Sequence, residues 1–352
     1  MSKKKKTSWK KILLVILFVL LNIGVIAATA IAEFGNSKEA AELSEISLNW
    51  WFLLPAFLCF IIALGIDIHK YALMIKEMTP DKKIYSKTLA RRVASRTVIL
   101  GKYYDNVTPA AVGGQPFQIF YMRRNSGLAA GPSTSIPIFG MISIQIAFIL
   151  IATICFLFGG LAEANPTLLF TALIGILFYA FWPIMVAGVS FFPKTTTKFL
   201  KFIVKILAKL KIVKKRKKVL EKVESEAEEY AKSVKTILKT RGLFVKVILW
   251  SLVYNFLIAS IPFFVLTACG GNVNFIESFV MTIAVMSAVY FVPTPGNSGA
   301  AEGTFFIVFS ALSSGYVFWA MLVWRFFSYY IYIIMGPIAY LRMHLEKMKH
   351  NK

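Results

Sequence analysis

Charge is scarce in this chain, and so are the side chains that most often carry chemistry. Of 352 residues only 16% are charged, and there are 3 cysteines and 3 histidines. Cys59, Cys155 and Cys269 lie in or at the ends of apolar runs, with no pairing pattern and no metal-ligand spacing. They read as small buried hydrophobes, not as a disulfide framework. His69, His344 and His350 are widely separated, which argues against a metal cluster. No Gly-Lys-Ser/Thr follows a glycine-rich turn, so nothing cradles nucleotide phosphates. No Ser-His-Asp arrangement can be argued. ATP-driven work and soluble-type catalysis are not encoded, and no cofactor or metal is implied.

Acidic residues are the scarcer half of the charge: 17 Asp and Glu against 40 Lys and Arg, a net of +23. The basic residues crowd before the first apolar run, at 76–124, at 194–246 and in the C-terminal tail. Glu33, Glu39, Glu42, Glu45, Glu163 and Glu277 mark the other connections, opposed only by Lys38. Lys/Arg-rich loops stay in the cytoplasm, so both termini are expected inside. A basic total can signal nucleic acid. Here the charge lies at helix ends, where anionic leaflet lipids attract it, and nucleic acid is disfavoured.

What the chain does have is apolar length: 57% hydrophobic residues and a mean hydropathy of +0.67. A bilayer core takes about 20 apolar residues per helix. Six full spans are expected: 12–32, 50–75, 136–159, 168–192, 243–269 and 316–341. The first is too long for a typical signal-peptide core and reads as a retained anchor. The second ends in DIHKY, which places Asp67, His69 and Lys70 near the cytoplasmic surface. Residues 194–246 form the longest cytoplasmic segment, with 17 Lys/Arg and 5 Glu. Its first part, to about residue 220, alternates apolar residues and lysines as a helix lying on an anionic lipid surface would. A solvated linker hairpin reads equally well.

Two apolar segments are broken. One runs from Asp105 to Gly127, with Thr108-Pro109 and Gly113-Gly114-Gln115-Pro116 inside it and basic residues on both flanks. The other runs from 275 to 312 around VPTPGNSGAAEG, which holds Pro293, Pro295, Gly296, Asn297, Gly299, Glu302 and Gly303. Such breaks free backbone groups that hydrocarbon cannot satisfy, so each must be buried in protein or face a wet cavity. Both are expected as re-entrant or short-helix pairs, the first entered from the cytoplasm and the second from outside. Paired Gly/Pro-interrupted segments in two halves point to a transporter binding site. No residue-by-residue internal repeat accompanies them.

Glu302 and Arg325 are the charges set deepest. Intramembrane charges pair or face a cavity. Two readings stand: a buried ion pair holding the last helices together, or Arg325 taking a lipid phosphate while Glu302 attracts a cationic head group or a proton. Freed N–H groups near Gly296 and Gly299 suit an anion, and Gln115 and Gln118 offer donors and acceptors in the first break.

TPAAVGGQPFQ (108–118), PTPGNSGAAEG (293–303) and WRFFSYYIYIIMGP (324–337) together resemble the lysylphosphatidylglycerol synthase transmembrane-region family. This flippase-like family is the membrane half of the bacterial multiple peptide resistance factor, and the resemblance covers 12–341. It implies an all-α polytopic domain in a bacterial cell membrane. There it would move phospholipids such as aminoacylated phosphatidylglycerol, with Arg325, Glu302, the 293–303 turn and the 105–118 turn along the route. The alternative is a subunit of aminoacyl-phospholipid synthesis, related to phosphatidylglycerol lysyltransferase and cationic peptide resistance, working with a separate lipid-modifying enzyme. Self-association is open. The aminoacyltransferase half is expected to be missing, since the chain stops at Lys352. One departure stands out: the usual PTPGG-G carries Asn297-Ser298 here, and Asn accepts left-handed backbone nearly as well as glycine.

Overall fold

The computed structural model describes residues 49–79, 87–111, 113–160, 166–191, 240–290, 292–311 and 317–350, with isolated positions between 198 and 237. The expected first span at 12–32 and most of the basic 194–246 segment lie outside the described residues. The described chain is helical, with no strand among these residues.

Apolar length sets the architecture. Helices α1 (Leu53–Met78), α4 (Ala130–Phe158), α5 (Pro166–Phe191) and α6 (Arg241–Ala268) are each long enough to cross a bilayer. So is the C-terminal pair α9 (Val317–Arg325) and α10 (Ile331–His350), joined by a π-helical turn at Phe326–Tyr330. These are 5 candidate spans among the described residues, and they coincide with the last five expected. The protein is therefore a multi-pass membrane protein. Its outward faces are apolar, as lipid contact requires: Phe57, Leu58 and Ile61 on α1, Leu177 and Phe178 on α5, and Ile334 and Ile338 on α10 are all exposed.

The remaining helices form two hairpins. α2 (Lys87–Val107) leads through a tight turn at Pro109–Ala111 into α3 (Gly114–Asn125). α7 (Phe275–Val289) leads through a turn at Pro295–Asn297 into α8 (Ala300–Ser310). The first hairpin begins earlier than expected: Arg91, Arg92 and Arg96 belong to its inbound helix, not to a loop. Basic character masked a helix that is apolar on only one side, with Ala90, Val93, Ala94, Val98 and Leu100 buried. The order span, hairpin, span thus occurs twice, starting at α1 and at α6. These two starting helices pack along one another.

Close helix approach depends on small residues, as in other membrane bundles. Gly175 on α5 lies directly on the Ser287 carbonyl of α7, leaving no room for a Cβ. Gly140 on α4 faces the ring of Tyr71, where a Cβ would come within 2.6 Å. α10 closes over α2, with Gly336 against the Tyr103 ring and Arg96 paired to Glu346 at 2.6 Å. Replacing Gly175 by Val should force α5 and α7 apart and cost about 1–3 kcal/mol, the usual range for overpacking. Size-exclusion profiles in detergent after graded heating would show this as an earlier loss of the monodisperse peak. An unchanged melting profile would contradict the close packing.

Candidate functional site

The tip of the second hairpin is built from residues that accept left-handed backbone. Gly296 has φ 59°, Asn297 φ 54° and Gly299 φ 91°. Asn297 thus adopts the conformation that its substitution for glycine required. A Cβ on Gly296 would run into the ring of Tyr329. The turn leaves carbonyls and N–H groups without helical partners, and Arg325 and Glu302 answer them. Arg325 donates from both terminal nitrogens to the Gly296 carbonyl, at 3.2 Å each, and from Nη2 to Ser298 Oγ at 3.2 Å. Its Nε lies 2.7 Å from Glu302 Oε1, a close ion pair whose alignment falls short of a hydrogen bond. The guanidinium also sits 4.6 Å from the centre of the Tyr329 ring. Glu302 Oε2 accepts from the Gly299 N–H at 2.8 Å, so the anion at the start of α8 is the protein's own carboxylate. Both side chains are buried, at 4% and 2% exposed.

The first tip uses the same economy of short polar links. Asp105 accepts from the Gly114 N–H at 3.0 Å and so caps α3 from the helix before it. Thr108 Oγ1 donates to the Tyr104 carbonyl at 2.7 Å and accepts from the Gly113 N–H at 2.8 Å. Pro116 stands in the first turn of α3, where a missing N–H leaves no bond unmade. Gln118 is buried: its Nε2 donates to the Thr97 carbonyl at 3.2 Å, and its Oε1 accepts from Tyr71 Oη at 3.2 Å. Gln115 is half-buried, while Pro109 and Pro116 are exposed.

The two tips meet. The Pro109–Ala111 turn packs against the Pro295–Asn297 turn, and Asn106 Oδ1 lies 3.3 Å from where a Cβ on Gly296 would stand. The expected site residues therefore fall on two touching tips and on the arginine that braces one of them.

Sequence reasoning missed a second polar group deeper in the bundle. Asp67 and Lys70 were expected near the cytoplasmic surface, but α1 continues to Met78 and carries both into its interior. Lys70 is 0% exposed, 3.2 Å from Asp67 Oδ1, and donates to Ser251 Oγ at 2.9 Å. Ser251 Oγ lies 3.0 Å from Ser143 Oγ, tying α1, α4 and α6 together. The Lys70 and Lys102 ammonium groups each stand 5.6 Å from the centre of the Tyr254 ring. Nearby, Gln145 Nε2 donates to Tyr290 Oη at 2.8 Å, and the Tyr290 and Tyr179 rings are 3.6 Å apart. The signal was present: an Asp and a Lys three apart, counted from Trp50, fall well before a span of this length can end. Lys102 was hidden by assignment to a basic loop.

An all-helical bundle with two broken hairpins meeting tip to tip, and buried charge beside the junction, defines a polytopic membrane protein with an internal polar site. The model of the lysylphosphatidylglycerol synthase TM region family matches residues 11–336, and the chain belongs to that family. It is accordingly a membrane protein concerned with lipid. No curated protein and no solved structure matches it.

Removing one partner of a buried pair strands the other, at a cost of about 3–5 kcal/mol. Glu302→Ala and Arg325→Ala should each lower detergent-solubilised stability by that order. Arg325→Lys should rescue little, because an ammonium cannot reach the carbonyl, the hydroxyl and the carboxylate together. Glu302→Gln combined with Arg325→Gln should lose less than the sum of the single changes. Thermal unfolding of the purified variants checks this, and additive losses would refute the coupling.

Proposed function

We propose that the chain is a lipid translocase of a bacterial cell membrane, with both termini in the cytoplasm. It would pass phospholipid head groups, such as that of aminoacylated phosphatidylglycerol, between its two hairpin tips while the acyl tails stay in the bilayer. The observation that carries this reading is the contact of the Pro109–Ala111 turn with the Pro295–Asn297 turn. Irregular backbone at membrane depth is tolerated where it lines a cavity, and paired broken helices form such sites in transporters. Thr108, Pro109, Gly113, Gly114, Gln115, Pro116 and Gln118 shape one side of the route. Pro293, Pro295, Gly296, Asn297 and Gly299 shape the other. Asp105, Glu302 and Arg325 hold the tips in form: their polar atoms already engage the backbone of the turns, so their role is positioning. Loop charge supports the cytoplasmic termini and an entry to the first hairpin from the inside.

The family description names a synthase, which favours a second reading as a partner in making the aminoacyl lipid. Lipid extracts of a strain lacking the protein separate the two. Unchanged total aminoacyl lipid with less in the outer leaflet supports translocation, whereas loss of the total supports synthesis.

The direct test uses proteoliposomes of phosphatidylcholine and phosphatidylglycerol carrying a fluorescent short-chain phosphatidylglycerol. Dithionite bleaching reads how much probe reaches the outer leaflet. A thiol-cleavable cross-linker between Ala110→Cys and Pro295→Cys, in a background with Cys59, Cys155 and Cys269 replaced by Ala, should stop translocation. Cleaving the linker should restore it. Translocation at an unaltered rate with the tips linked would contradict a route between them.

A further inference from the structure

We infer that the Pro109–Ala111 turn is the moving gate of the lipid route and the Pro295–Asn297 turn its fixed abutment, with Asp105 as the latch on the gate. The inference rests on the translocation reading and names which of the two tips opens.

The two tips are one design used twice. A single offset in residue number carries Thr108, Pro109, Ala111 and Gly113 onto Thr294, Pro295, Asn297 and Gly299. Each second proline of these pairs opens a tight turn, and each glycine stands immediately before the next helix, α3 or α8. Ala111 and Asn297 are the residues other than glycine with positive φ among the described residues, at 51° and 54°. Their N–H groups donate to the Thr108 and Thr294 carbonyls at 3.3 and 3.1 Å. The two halves run in opposite senses: the Asn49 N–H, just before α1, donates to the Ala268 carbonyl at the end of α6 at 2.8 Å. Elements repeated in opposite orientation are how transporters let the two sides of a membrane reach one site in turn, by moving one repeat against the other. Where the two copies differ then shows which one moves.

The differences all fall the same way. Arg325, from a separate span, holds the second turn by the Gly296 carbonyl and Ser298 Oγ. The same offset carries Arg325 back to Phe139 on α4, an apolar side chain that is buried with its ring 5.8 Å from that of Phe244. No such brace therefore reaches the first turn from that position. Among the described residues, the hydrogen bonds of Asp105, Thr108, Ala111, Gly113 and Gly114 stay within the first hairpin. The turns also differ in strain. Asn visits the left-handed region readily because its short side chain bonds locally, whereas the Cβ of alanine is crowded there by a carbonyl oxygen. Ala111 is exposed and Asn297 half-buried, so the strained residue is the less supported one. Strained backbone gathers at switches, and it persists only while its surroundings hold it. What holds the first turn is Asp105, whose carboxylate accepts from the Gly114 N–H at 3.0 Å and fills the space where a Cβ on Gly114 would stand. A strained turn with only local support is the segment that opens first.

Hydrogen exchange of the purified full chain in phosphatidylglycerol nanodiscs tests the assignment, read by mass spectrometry on peptides covering each turn and corrected for intrinsic rates. In the wild-type chain the Pro109–Ala111 turn should exchange about fivefold faster or more than the Pro295–Asn297 turn, the factor set by one left-handed alanine. A smaller ratio, or the reverse order, would overturn the gate. Ala111→Asn gives the first turn the residue that the second has. It should slow exchange at the first turn severalfold, leave the second turn as it is, and slow translocation in the bleaching assay. First-turn exchange unchanged by Ala111→Asn, or translocation at the wild-type rate through a slowed turn, would equally overturn the gate. The two ideas fail separately. Translocation by a chain whose turns are equally protected sinks the gate alone, whereas a fast-exchanging first turn in a chain that moves no probe sinks the translocation reading alone.

Discussion

Backbone that breaks inside a membrane must find partners in the protein, and that requirement organises this molecule. A single arginine meets it at one tip. Arg325 gathers a carbonyl, a hydroxyl and a carboxylate from the 293–303 segment, and the same carboxylate closes the first turn of α8. At the other tip Asp105 and Thr108 do the equivalent work with two backbone N–H groups. Without these links the tips would expose unsatisfied groups costing several kcal/mol each in hydrocarbon. With them, two short turns press against each other.

The position of Arg325 adds a mechanical feature. It closes α9 and opens directly into the π-helical turn Phe326–Tyr330, whose Tyr329 receives the guanidinium on its ring. π-turns recur at functional sites because they reset the direction of side chains along a helix. Here the turn places Tyr329 under Gly296, which only a residue without a Cβ can accommodate. The departure at Asn297-Ser298 fits the same frame. Asn297 supplies the left-handed turn, and the Ser298 hydroxyl gives Arg325 a partner that glycine could not.

Much of this was legible from residue order. Apolar length located every described span, because a helix that must cross hydrocarbon leaves a run that nothing else explains. Clustered proline and glycine located both tips, because several together leave too many helical hydrogen bonds unmade for the helix to continue, whereas single prolines such as Pro137 and Pro262 stay within their helices. A buried Glu302–Arg325 ion pair was one of two readings that the cost of isolated charge left open, and the structure contains that pair. What remained hidden was Lys70, Asp67 and Lys102. Periodicity places a residue on a helix, but not the partner helix that buries it. Lys70 acquires its environment from Ser251, 181 positions away. The extent of α2 was obscured for the opposite reason: its arginines look like loop charge, and only its packing against α1 and α10 shows a helix.

In the proposed function a lipid head group passes through the bundle interior beside the joined tips. A density map of the protein in nanodiscs containing phosphatidylglycerol tests this most directly. Head-group density is expected inside the bundle beside the Pro109–Ala111 and Pro295–Asn297 turns. Lipid density confined to the outer apolar faces of α1, α5 and α10, with none beside the two turns, would contradict it.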